Sequence, residues 1–151
     1  MQAADREIAR AQRYDQTMTM LFLDLDRFKL VNDKHGHLVG SRALRRLSEV
    51  LPGCIRQVDT LARYGGDEFT ILLVDTPHAV GMDIAERIRC MVEQTTFEAG
   101  PGNPFRLSIS IGVATYPDHG GSRESLLDAA DKAMYRAKSL GRNCVCSAQD
   151  L

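Results

Sequence analysis

Residues 18–25, Met-Thr-Met-Leu-Phe-Leu-Asp-Leu, carry one charge in eight positions, and that charge is Asp24. Such a run reads as a central β-strand covered on both faces, because only packed layers above and below keep it from water. A chain that owns this strand must build a sheet around it and lay helices on the sheet. Asp24 is out of place at the end of such a strand. A buried carboxylate is costly unless it is paired or binds a cation.

The remaining periodicity supplies the layers. Residues 2–15 read as a mostly exposed amphipathic helix, with Ile8, Ala11 and Tyr14 among charges. Phe28 to Lys34 predicts a short helix closed by His35-Gly36-His37. Ser41 to Leu51 predicts a second, stopped by Pro52-Gly53. Two strand-like runs, 60–64 and 67–74, flank Gly65-Gly66, a tight-turn signal. Helices are expected over 78–93 and 122–139, a strand over the alternating run 105–115, and a short last strand over 143–146. The order α-β-α-α-β-β-α-β-α-β, with two strands joined by a hairpin, favours an α+β fold. Its sheet is central, mainly antiparallel and wrapped by helices, not doubly wound and parallel.

Composition narrows the function. The 151 residues suffice for one domain with a real core. Lys and Arg total 19 against 20 Asp and Glu, so bulk nucleic-acid binding is disfavoured. No apolar run is long enough to span a bilayer, and the N-terminus has no secretory h-region. Cys54, Cys90, Cys144 and Cys146 form no C-x-x-C pair and read as reduced thiols of a cytoplasmic protein.

Asp67 and Glu68 are the second anomaly, two acids at a hairpin tip just after two glycines. If the hairpin lies beside the 18–25 strand, Asp24 and Asp67 converge. Acids around one point suit Mg²⁺, a hard cation that shares its ligands with substrate phosphates; two solvated turns are the alternative. Arg27-Phe28-Lys29 opens a helix whose amides suit phosphate oxygens. Lys138 and Arg142 straddle the end of the 122–139 helix, where they suit either phosphate or the helix dipole.

Arg63-Tyr64-Gly65-Gly66-Asp67-Glu68-Phe69 resembles the signature of the GGDEF family, the diguanylate cyclases. Four more runs resemble the same family in the same order: 24–33, 36–40, 108–114 and 129–143. The resemblance implies a sheet-and-helix fold similar to class III nucleotide cyclases and polymerase palms. It also implies one GTP per domain and catalysis in a homodimer. Each 3′-hydroxyl attacks the other nucleotide's α-phosphate, pyrophosphate leaves, and cyclic di-GMP forms.

Carried onto this chain, the resemblance assigns Asp24, the Leu25 carbonyl, Asp67 and Glu68 to two Mg²⁺ or Mn²⁺ ions per active site. Glu68 either assists there or deprotonates the attacking hydroxyl. The amides of Arg27, Phe28 and Lys29 would cradle the β- and γ-phosphates, with Lys29, Lys138 and Arg142 neutralising charge. Asn32 matches a reader of the guanine edge, and Leu44 would touch the base. Its partner in the family is an Asp, but here position 41 is Ser. A carboxylate only accepts hydrogen bonds and so rejects adenine N1, whereas a hydroxyl donates or accepts. Ser41 therefore resembles a hybrid promiscuous subclass that takes ATP as well as GTP and makes 3′,3′-cyclic GMP-AMP. The alternative is a strictly GTP-specific cyclase with a tolerated substitution.

Arg56-Gln57-Val58-Asp59 matches the family's product-inhibition site, and Arg87 a secondary arginine there. A surface Arg–Asp pair of little energetic value is the plain alternative. A D-x-L-T-x-L-x-N-R segment, a receiver module and a PAS module do not occur in these residues. The chain is therefore expected to be the catalytic fragment of a longer signalling protein with an upstream sensory domain. Two other classes compete: a non-catalytic GTP or cyclic di-GMP binding module, and a single-nucleotide cyclase or polymerase on the related fold.

Overall fold

The computed structural model describes residues 2–151. Strand β1 (Met18–Leu25) lies at the centre of a five-stranded sheet. On one side it pairs antiparallel with β3 (Glu68–Val74), which pairs antiparallel with β2 (Thr60–Arg63). On the other side it pairs antiparallel with β6 (Ile109–Tyr116), which carries β7 (Val145–Ser147) in parallel at the edge. The sheet is mixed but mainly antiparallel, as the element order predicts.

Alternation along β1 divides the core. Leu21, Leu23 and Leu25 face one way, toward α3 (His37–Val50) and α4 (His78–Gln94), with Leu47, Ile88 and Ile111 in the same cluster. Met18, Met20 and Phe22 face the other way, toward α1 (Gln2–Tyr14) and α5 (Arg123–Ser139), meeting Ile8, Leu126 and Met134. Both faces of β1 are thus buried, which is why its sequence lacks the polar half of an exposed strand. Among the described residues no helix is long and apolar enough to cross a membrane.

Gly112 on β6, opposite Phe22, decides how closely α5 approaches. A Cβ there would lie 2.0 Å from the Ala130 carbonyl oxygen and 2.3 Å from the Met134 nitrogen. Those are backbone atoms and cannot step aside. Ser122 caps α5, its hydroxyl accepting from the Ser125 amide while the Ser125 hydroxyl accepts from the Ser122 amide.

Four local expectations change. The helix predicted from Ser41 begins at His37, directly after α2 (Phe28–His35), and Gly36 turns the chain between them with φ 91°. Gly40 sits inside that helix because α2 crosses there; a Cβ on it would fall 1.9 Å from Asn32 Oδ1. The run 105–115 does not form one strand. Phe105 instead belongs to β5 (Pro104–Phe105), which pairs with β4 (Phe97–Glu98) in a separate ribbon, and its ring stacks on His35. The hairpin turn holds Tyr64 to Asp67 rather than Gly65-Gly66 alone, with the Tyr64 amide bonded to the Glu68 carbonyl at 2.9 Å. The last strand starts at Val145, because Arg142 and Asn143 are left-handed turn residues with φ 67° and 50°.

Gly112→Ala is expected to lower stability by about 1–3 kcal/mol, the usual range for overpacking. Gly53→Ala, with no heavy atom near its Cβ, is the control. Equilibrium urea unfolding of both variants checks this, and equal stabilities would contradict it.

Candidate active site

The end of β1 delivers Asp24, Leu25 and Asp26 to one edge of the sheet. Asp26 is only 4% exposed. Its Oδ1 accepts from Ser110 Oγ at 2.6 Å and Lys138 Nζ at 3.1 Å; its Oδ2 accepts from Ser108 Oγ at 2.6 Å and the Asn143 amide at 2.9 Å. Burial alone would raise its pKa, but these donors outweigh it and hold the carboxyl below the ordinary value. Asp26 is therefore a buried, fully bonded anion.

Asp24 is the opposite case. Its Oδ2 lies 3.1 Å from Lys138 Nζ, and its Oδ1 is buried with no partner among the described residues. Burial pushes its carboxyl from 3.8 up to about 7, Lys138 opposes this, and Asp67 reinforces it. The register sets Asp24 across from Glu68, and the Asp67 carbonyl accepts the Leu25 amide at 3.2 Å. The two acidic segments are thus side by side. Glu68 is also raised, by burial, then by Asp67 and Asp131, with Lys138 opposing.

Lys138 reaches this centre from the last turn of α5. Besides both aspartates, its ammonium donates to the Leu25 carbonyl at 3.3 Å. The lysine assigned by resemblance to phosphates is here bonded to the very oxygens assigned to metal. Arg142 lies four residues on, exposed, in the left-handed turn after Gly141, and its amide bonds the Ala137 carbonyl at 3.0 Å. On the other flank Arg27, with φ 56°, turns the chain from Asp26 into α2 and caps it without a side-chain hydrogen bond. Phe28 and Lys29 occupy the first turn of that helix.

The same helix brings Asn32 against α3. Its Oδ1 is buried without a partner among the described residues, pressed against Gly40. Ser41 is exposed one residue further on, and Leu44 is buried one turn along. An unpartnered amide oxygen beside an exposed hydroxyl suits a polar, planar ligand edge.

Arg56, Asp59 and Arg87 lie elsewhere, around a cleft of about 500 Å³ at the far end of β3. Asp59 is not a loosely held surface acid. Its side chain is fully buried, accepting from the Arg56 amide at 2.9 Å, from the Val74 amide at 2.9 Å and from the Arg56 guanidinium. The Arg56 side chain remains 54% exposed toward the cleft. Arg87 bonds the Cys54 carbonyl at 3.1 Å.

No three His, Cys, Asp or Glu side chains enclose a metal position among the described residues. Asp24 with its orphaned oxygen, Asp67 and the Leu25 carbonyl form an open, all-oxygen set. That set fits Mg²⁺ or Mn²⁺, which fill their remaining positions with water and phosphate. The four cysteines are free.

The sequence model of the family "Diguanylate cyclase, GGDEF domain" matches residues 1–144. The chain belongs to this family. Among curated relatives, this GGDEF domain is 42% identical over 140 residues to diguanylate cyclase DosC of Escherichia coli K12, covering 93% of this chain and 30% of that protein. It is 38% identical over 142 residues to response regulator PleD of Caulobacter vibrioides, covering 93% and 31%. The chain thus spans about a third of these relatives. Among solved structures, the GGDEF domain of PA1120 from Pseudomonas aeruginosa superposes with TM-score 0.93 at 33% identity, covering 97% of this chain and 91% of that one. The GGDEF domain of DgcB from Caulobacter crescentus, solved in complex with c-di-GMP, gives 0.90 at 30% identity, covering 98% and 87%.

Sequence reasoning passes over Asp26, Ser108, Ser110 and Asn143 as functional residues, although their segments are visible. Their role rests on contacts across the sheet.

The folded state binds the Asp24 proton more tightly than the unfolded chain does. Asp24 therefore supports folding most below pH 3.8 and withdraws that support as pH rises through about 7. In buffer free of divalent cations, Asp24→Asn is expected to be more stable than the parent at pH 8 by about 1–3 kcal/mol. The gap is expected to shrink at about pH 5. Urea unfolding at both pH values measures it, and a pH-independent difference would contradict the assignment.

Proposed function

We propose that this GGDEF domain condenses two nucleoside triphosphates into a 3′,3′-cyclic dinucleotide, releasing pyrophosphate, and that it does so as a homodimer. The observation that carries this is Asp24. Its carboxylate is half-buried beside Asp67, with an oxygen that no described residue partners. That destabilised acid, only partly offset by Lys138, is poised for a cation.

Bound Mg²⁺ or Mn²⁺, two per site, would supply charge stabilisation to the α-phosphate and the leaving pyrophosphate. Asp24, Asp67, Glu68 and the Leu25 carbonyl would hold the metal. The amides of Arg27, Phe28 and Lys29, with the Lys29 and Arg142 side chains, would orient the β- and γ-phosphates for in-line attack. Lys138 would turn from the carboxylates to the phosphates as metal enters. Glu68, with its raised pKa, is suited to accept the proton of the attacking 3′-hydroxyl. One domain holds one nucleotide and therefore half of the reactants, which is why a second copy is required. The Arg56, Asp59 and Arg87 cleft would take the cyclic product, since an arginine fork grips phosphate and the guanine edge alike. The cytoplasm, where GTP and ATP are available, is the fitting compartment.

Ser41 extends the reading to ATP. The buried Asn32 oxygen needs a donor from the base, and both the amino group of adenine and the N–H groups of guanine provide one. Ser41 beside it imposes no purely accepting carboxylate, so adenine N1 is not repelled. Cyclic GMP-AMP would then form beside cyclic di-GMP. The strictly GTP-specific reading is supported by the diguanylate cyclase names of the relatives. A binding module without catalysis leaves Asp24, Asp67 and Glu68 unused.

The test fuses the chain to a constitutive dimeriser, supplies Mg²⁺ with equimolar GTP and ATP, and resolves products by mass. The expected result is cyclic di-GMP with a substantial cyclic GMP-AMP peak. Ser41→Asp should shift the ratio toward guanine by about 1–3 kcal/mol, the scale of one base-edge contact. An unchanged ratio overturns the Ser41 reading, and no cyclic dinucleotide from the parent overturns the cyclase reading.

A further inference from the structure

The turn that carries Arg142 is conformationally unfavourable. Gly141, Arg142 and Asn143 have φ of 113°, 67° and 50°, and two of these are not glycine. Asparagine tolerates that region, but an arginine stays in it only when its surroundings hold it. One side of the hold is the candidate active site, where the Asn143 amide bonds Asp26 at 2.9 Å.

The other side is α4. Arg89 donates from Nη1 to Asn143 Oδ1 at 3.0 Å, and Asn143 Nδ2 donates to Glu93 Oε2. Arg89 is itself locked. Its Nε lies 3.0 Å from both Glu86 carboxylate oxygens, its Nη2 lies 2.6 Å from one of them, and its side chain is only 16% exposed. Both ends of the Asn143 amide are thus gripped by a helix that gives the site no other group. The asparagine then presents its own amide to Asp26, and Asp26 holds Lys138. Arg142 is the immediate chain neighbour of the gripped residue.

We infer that Arg89, assisted by Glu93, is a positioning residue for nucleotide binding and condensation: it fixes Asn143 and thereby sets Arg142 against the triphosphate. This rests on the triphosphate-binding reading above. Arg89 itself is engaged by Glu86, Glu93 and Asn143, and so acts through Asn143. Its planar fork serves Glu86 and Asn143 at once, and a lysine ammonium has no such geometry.

A double-mutant cycle separates positioning from general stability. GTP affinity with Mg²⁺ and initial product formation are measured for the dimerised parent, Arg89→Ala, Arg142→Gln and the double variant. Thermal unfolding is recorded for each. Arg89→Ala is expected to weaken GTP binding and kcat/KM roughly tenfold in the parent but less than about twofold in the Arg142→Gln background, because coupled residues are not additive. Arg89→Lys, which keeps the charge and the helix packing, is expected to recover only part of the loss and serves if the alanine variant unfolds. Equal losses in both backgrounds, or parent-like binding by Arg89→Ala, overturn the proposal. A parent that binds GTP but makes no cyclic dinucleotide removes the cyclase reading and leaves the binding cycle to decide Arg89. A parent that binds no GTP overturns both.

Discussion

The buried charge of Asp26 organises this end of the molecule. Sinking a carboxylate among strands is unfavourable unless its lone pairs are filled. Here they are, by two serine hydroxyls, a lysine and a main-chain amide. Those donors come from the approach to β6, from β6 itself, from the end of α5 and from the turn after it. One anion therefore ties two distant stretches of chain, 108–110 and 138–143, to the end of the central strand. The end of α5 and the basic turn are positioned by that tie, while the hairpin acids are set beside it by the pairing of β1 with β3.

Next to this satisfied carboxylate sits an unsatisfied one. Asp24 shares Lys138 with Asp26, but it also faces Asp67 and keeps one oxygen without a partner among the described residues. The contrast between neighbours two residues apart is informative. A protein selected for stability alone has no use for Asp24 as it stands, while a site that must admit cations and phosphates does. Lys138 partly balances the two acids.

Much of the fold is legible in the sequence because burial writes itself as periodicity. The run 18–25 reads as a doubly covered strand, and it is one. Gly65-Gly66 reads as a hairpin, and Asp67 lands beside Asp24. The fine structure is less legible where tertiary contact overrides local pattern. Gly40 looks like a helix boundary but is a crossing point between α2 and α3. Phe105 continues the alternation of β6 but pairs with Phe97 instead. Asp26 is the sharpest case: on paper it differs little from Asp24. Its four donors lie 82, 84, 112 and 117 residues away, so no local pattern announces them.

Asp26 is the residue on which the site's geometry most directly depends. In Asp26→Asn the side chain keeps its shape but loses its charge, and its N–H₂ must face either the Lys138 ammonium or the Asn143 amide, each of which can only donate. With helical circular dichroism retained, the dimerised variant is predicted to lose at least roughly a hundredfold in cyclic dinucleotide formation, the scale of a misplaced reacting group. A folded variant that makes cyclic dinucleotide at the parent's rate would contradict the claim that this buried anion builds the site.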